Sequence, residues 1–165
     1  MPQYKVKSNC KRNFSLIQNE KILGNLTYQG WFSLKSDILL ADNSKYQIVY
    51  QEDFFLRTKM ILKDNENILL NFKMNWNLNI MINTKFENIE NHYIFKNIGV
   101  LSSIYSLLDS KERELLVIQP EFEWRKLNYS YNIKTSTTFD KFENKDILLL
   151  STIHCINYYI DLTSA

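Results

Sequence analysis

The stretch Pro120-Glu121-Phe122-Glu123-Trp124-Arg125 holds the one carboxylate pair whose spacing suggests bond-breaking chemistry. In a strand, Glu121 and Glu123 share a face roughly 7 Å apart, within the range for two carboxylates that act on a glycosidic bond. Trp124 would offer a sugar a stacking ring, although from the opposite face. An edge strand that solvates both glutamates and buries Phe122 and Trp124 accounts for the same pattern, and no catalytic residue is assigned.

Nucleophiles and metal ligands are scarcer still. The histidines are His92 and His154, and the cysteines are Cys10 and Cys155, near opposite ends of the chain. His154 and Cys155 are neighbours in an apolar run, but adjacent helical residues point about 100° apart and make no nucleophile–base pair. His154 reads as a satisfied core histidine, and His92, in Glu90-Asn91-His92-Tyr93, as a turn residue. Both cysteines read as free thiols of a reducing compartment, and their spacing fits no zinc site. Gly24, Gly30 and Gly99 cannot build a phosphate-cradling loop. No metal, cofactor or enzymatic activity is expected.

Basic residues point to binding instead. Lys5, Lys7, Lys11 and Arg12 form the only cluster, within residues 1–13, which are expected as a flexible basic segment. Each would contribute about 1 kcal/mol near an anionic lipid surface. The others, such as Arg57, Lys73, Lys96 and Lys134, are dispersed. A formal net charge of +2 on 165 residues opposes nucleic-acid binding by the domain as a whole. The N-terminus lacks the apolar run of a secretory signal, so a cytoplasmic location with peripheral membrane contact is expected.

Strands must carry most of these groups. Leu70, Phe72, Met74, Trp76, Leu78, Ile80 and Ile82 alternate with Asn71, Lys73, Asn75, Asn77 and Asn79. This is one half-buried strand, or two with a bend among the asparagines. Tyr46, Ile48 and Tyr50 repeat the pattern, as do Leu127, Tyr129, Tyr131 and Ile133. Turn signals such as Gln18-Asn19-Glu20, Asp42-Asn43-Ser44, Asp64-Asn65-Glu66 and Asp109-Ser110-Lys111 separate the runs. Asn and Asp tolerate the left-handed conformation, so they do turn work that three glycines cannot. The spacing of the signals gives about ten to twelve short one-faced strands.

Residues 147–160 differ, because no quadrant of their helical wheel is polar. They predict a helix over residues 145–160, capped by Asn144 or Asp146, with Leu149, Ile153, Ile156 and Ile160 in its buried interior. Its apolar run is about 21 Å long, too short for a bilayer core of about 30 Å. A helix apolar on every side must be enclosed on every side. One-faced strands satisfy that as a closed antiparallel barrel of about twelve strands threaded by the helix, a single domain over residues 1–165.

The chain resembles the tubby C-terminal-like superfamily, which includes tubby, phospholipid-scramblase and LURP-one-related proteins. The resemblance rests on the early hairpin Lys21-Ile22-Leu23-Gly24-Asn25-Leu26-Thr27-Tyr28 and on Asp42-Asn43-Ser44 before Tyr46-Gln47-Ile48-Val49. It also rests on Asp109-Ser110-Lys111-Glu112-Arg113-Glu114-Leu115-Leu116 and on Asp140 followed by the apolar run. It covers the chain from about residue 14 and implies a twelve-stranded barrel around a hydrophobic C-terminal helix. It also implies a non-enzymatic binding or scaffold module, with phosphoinositide-like anionic lipids bound through lysine and arginine. The proline-rich N-terminal region and palmitoylated cysteines of scramblases have no counterpart here. The alternative from another class is an intracellular carrier of a small hydrophobic ligand, which requires a hollow barrel with the last segment outside.

Overall fold

A computed structural model describes residues 3–10, 12–30, 33–52, 58–99, 103–123 and 128–163. The alternating runs form β1 (Gln3–Cys10), β2 (Asn13–Gln18), β3 (Lys21–Tyr28), β4 (Ser36–Leu40), β5 (Lys45–Glu52) and β6 (Thr58–Asp64). They continue as β7 (Asn67–Met74), β8 (Ile80–Phe86), β9 (Ile89–Asn97), β10 (Tyr105–Asp109), β11 (Glu114–Glu123) and β12 (Asn128–Thr135). A 3-10 turn (Phe139–Lys141) then leads into α1 (Lys145–Thr163). Each strand pairs antiparallel with the next, and β1 closes the ring on β12, with Gln3 opposite Lys134 and Lys7 opposite Ser130. Closure leaves the sheet no free edge. The fold is the twelve-stranded barrel around a C-terminal helix that the periodicities predict.

The basic N-terminal segment is not a flexible extension. Residues 3–10 are a barrel strand paired on both sides, to β12 and to β2. Tyr4 and Val6 alternate with the lysines and are buried in the core, so Lys5 and Lys7 lie on the outward face. Their other face, not their charge, decides where they sit.

The run from Leu70 to Ile82 is two strands. Leu70, Phe72, Ile80 and Ile82 are buried, while residues 75–79 form the connection between β7 and β8. On the outer face, Asn83 Nδ2 donates to Asn71 Oδ1 (3.0 Å) and Asn83 Oδ1 meets His92 Nδ1 (2.6 Å). These cross-strand pairs knit β7, β8 and β9 together. His92 is therefore an exposed strand residue, not the turn residue its neighbours suggest.

Asparagines do supply left-handed turn positions, at Asn19, Asn43, Asn65 and Asn88, joined by Glu20, Glu87 and Glu112. Asp42 and Asp109 fold their carboxylates back onto turn amides. The backbone N–H of Ser44 (2.8 Å), and those of Arg113 and Lys111 (2.9 Å each), hold the two carboxyls below their usual pKa range.

Residues 147–156 of α1 are buried without interruption, which is the behaviour of a helix surrounded by sheet. Leu149, Ile153 and Ile156 are fully buried and share one core with Leu16, Leu26 and Phe72. Ile160 departs from expectation, being 38% exposed, because the last turn of α1 emerges from the barrel. On β3, Gly24 lets the helix approach. A Cβ there would lie 2.9 Å from Leu40 Cδ2, 3.0 Å from Leu150 Cδ1 and 3.1 Å from the Leu39 carbonyl oxygen. Where the chain enters the barrel, Asp140 accepts from Thr135 (2.7 Å) and Tyr4 (3.3 Å), tying the 3-10 turn to β12 and β1. With α1 inside, the hollow barrel that a carrier needs does not exist.

Candidate docking end of the barrel

An antiparallel meander sorts its connections between two ends. At the end where α1 begins, β2–β3, β6–β7 and β8–β9 are joined by residues 19–20, 65–66 and 87–88 alone. At the opposite end, where α1 finishes, the connections include residues 29–35, 75–79 and 98–104. We call these the hairpin end and the loop end. Long connections on a rigid scaffold are where binding surfaces are built.

The connection between β7 and β8 is rigid and exposes apolar groups. Asn75 organises it: its backbone N–H donates to the Asn79 carbonyl (2.8 Å) and its carbonyl accepts from Leu78 (3.1 Å). Its side-chain Oδ1 accepts from the N–H groups of Asn77 and Asn79 (3.0 Å each). The turn holds Leu78 at φ 60°, a conformation that costs a residue other than glycine roughly 1–2 kcal/mol. It projects Trp76, 92% exposed, and Leu78, 60% exposed, into solvent. Sequence alternation places both on the buried face; the alternating asparagines at 75, 77 and 79 are the signal that they belong to a turn. Ile98 in the next connection and Ile160 and Leu162 on the last turn of α1 are also exposed. At the hairpin end, Ile22, Ile68 and Ile89 are exposed too, but each at the first or second position of its strand, beside a turn.

A buried polar link fastens the loop end to the helix. Asn157 Nδ2 donates to the Tyr28 hydroxyl (3.0 Å), and that hydroxyl shares a hydrogen bond with His154 Nδ1 (3.0 Å). The two rings stack at 5.6 Å. Burial drives the His154 pKa down to about 3, so the imidazole is neutral, and the same burial pushes the Tyr28 hydroxyl and the Cys155 thiol up. His154 is thus a satisfied core histidine, and the buried Cys155 thiol carries no nucleophilic character. Arg12 lies over the outer side of this link. Its guanidinium is 5.4 Å from the Tyr28 ring centre and its Nη1 donates to the Ser33 carbonyl (3.1 Å).

The sequence-predicted basic cluster does not converge. Lys5 and Lys7 are spaced along β1, Arg12 is engaged at the loop end, and Lys11 lies outside the described residues. Lys5 Nζ is 3.5 Å from Glu121 Oε2, which also accepts from Asn132 (3.1 Å). Glu121 is therefore on the outer wall of the barrel in a polar pair. The Glu123 side chain and Trp124 lie outside the described residues. The loop end also carries cations, Lys73 near the end of β7, Lys96 near the end of β9 and Lys35 before β4, together with Asp161 in the last turn of α1. Asp37, near Lys35, is held by Gln29 (2.6 Å) and Gln47 (3.0 Å).

The loop end thus presents exposed apolar side chains on a hydrogen-bonded turn. Among the described residues, no group of His, Cys, Asp or Glu is placed to hold a metal ion, and no helix is long and apolar enough to cross a membrane. No family model matches the chain, nor does any curated protein or solved structure.

Proposed function

We propose that this chain is a non-enzymatic, tubby-like binding module that docks its loop end on an anionic membrane surface. The observation that carries the reading is the tip at residues 75–79, where a turn closed by four hydrogen bonds of Asn75 holds Trp76 and Leu78 in water, with Lys73 just before it on β7. Exposed apolar side chains and a left-handed leucine both disfavour the isolated protein; a lipid interface offsets both. Tryptophan is enriched at the headgroup level of membranes. Transfer of Trp76 and Leu78 would stabilise the bound state by about 2 kcal/mol each, and Lys35, Lys73 and Lys96 would add about 1 kcal/mol apiece near anionic lipid. The architecture of a barrel filled by its own helix supports a surface role over a carrier role.

Flotation with phosphatidylcholine vesicles, with and without phosphatidylserine, tests this. The protein is expected to co-float with the anionic vesicles in low salt and less so in high salt, and Trp76→Ala should weaken binding at least tenfold, the factor that about 1.4 kcal/mol represents. Absence of co-flotation, or equal binding by Trp76→Ala, overturns the reading. So does concentration-dependent dimerisation that Trp76→Ala abolishes, which would make the tip a self-association surface.

A further inference from the structure

We infer a second site at the opposite end of the barrel: the part of its mouth that α1 leaves open, beside the β8–β9 hairpin, binds a small organic cation. Alternation along the hairpin places Phe86, Ile89, Asn91 and Tyr93 on the lumen side, since Phe86 stands opposite Ile89 and the buried Ile82 opposite Tyr93. The helix starts only at Lys145, and Leu148 in its first turn lies at the floor of this part of the mouth. Phe142, Glu143 and Asn144 wall the other side, leaving a cavity of about 340 Å³. That volume suits a small molecule, and barrel mouths are a favoured place for one. Ile89 faces inward yet is 62% exposed, so an apolar part of the mouth is uncovered.

The lining chooses the charge of the occupant. Its ionisable members at neutral pH are Glu87 and Glu143, its amides are Asn91 and Asn144, and no lysine or arginine lines it. Of the lysines next to lining residues, Lys145 donates its Nζ to the Asp140 carbonyl (3.2 Å), Lys85 occupies the outward position between Thr84 and Phe86, and Lys141 is exposed in the 3-10 turn before Phe142. Asp146, in the first turn of α1, offsets the positive end of the helix. Phe86, Tyr93 and Phe142 supply aromatic surface, the last two with ring centres 6.3 Å apart. Aromatic faces attract ammonium groups and carboxylates pair with them, so a monocation with an apolar body satisfies both features. An anion would face two carboxylates, and a neutral ligand would gain no attraction from them. The site is at the other end from the docking tip, so it stays open to solvent whether or not the tip is engaged.

Titrating benzylamine, benzyl alcohol and benzoate into the isotope-labelled full chain, followed by amide NMR, tests the inference. Benzylamine is expected to give saturable shifts at residues 86–93 and 142–148, with benzyl alcohol about fivefold weaker or more and benzoate silent. Glu87→Gln and Glu143→Gln should each weaken benzylamine roughly two- to fivefold, as fits partly exposed charge pairs, and Lys134→Ala on the outer face of β12 should leave it unchanged. Equal affinity for amine and alcohol, shifts confined to other residues, or indifference to both glutamine variants overturns it.

Discussion

His154 makes the stability of the barrel depend on pH in a way that one substitution should remove. The imidazole is wholly buried, its Nδ1 is hydrogen-bonded to the Tyr28 hydroxyl at 3.0 Å, and burial lowers its pKa from 6.5 to about 3. The unfolded chain therefore takes up a proton near pH 6.5 that the folded chain refuses until about pH 3. A depressed folded pKa on a base means that stability is present above 6.5 and is lost as pH falls below it. The slope approaches about 1.4 kcal/mol per pH unit, and between pH 7 and pH 5 the integrated loss is about 2 kcal/mol. Asp42 and Asp109, with lowered pKa values, act with the same sign but below the ordinary carboxylate pKa of 3.8; Asp146, raised by desolvation, acts with the opposite sign above it. The difference between the wild type and a His154 variant cancels these carboxylates and isolates the histidine. Urea unfolding of the wild type and of His154→Gln, which keeps a hydrogen-bond partner for Tyr28, should show the wild type losing about 2 kcal/mol more from pH 7 to pH 5. The variant will be less stable at pH 7, so the comparison is of slopes. Parallel curves would refute the reasoning, as would a His154 ring signal that titrates near 6.5 in the folded protein.

Two further predictions concern the helix and its fit. Gly24→Ala should destabilise by about 1–3 kcal/mol, because the new Cβ meets the Leu39 carbonyl at 3.1 Å and Leu150 at 3.0 Å; thermal melting checks this, and an unchanged midpoint would mean that the helix is free to shift. Leu149→Asp or Ile153→Asp should unfold the domain by burying an unpaired charge, whereas Ile160→Asp should cost less than about 1 kcal/mol, since Ile160 sits in the emerging turn; circular dichroism separates the two outcomes, and similar losses at positions 153 and 160 would contradict the observed depth of the helix.

What could be read in the sequence, and what could not, divides along one physical line. Periodicity reports which residues share a face, so the alternation in β7, β8 and β12 and the unbroken apolar surface of α1 were enough to require an enclosed helix and a closed sheet. Periodicity does not report where a run bends. Trp76 and Leu78 keep perfect step with Phe72 and Ile80, and only the hydrogen bonds of Asn75 take them out of the strand and into water. The same limit explains Ile160, because a helix wheel has no marker for the level at which a barrel ends. A second limit explains β1, where Lys5 and Lys7 equal Tyr4 and Val6 in number, so composition leaves its place open and only the buried face decides it. The mouth cavity was illegible for a third reason. Phe86, Tyr93 and Phe142 are separated along the chain and converge only because β8, β9 and the start of α1 meet at one rim. Both proposed binding surfaces therefore lie where the regular pattern stops, at the two ends of the barrel, and neither lies on the wall that the pattern describes so well.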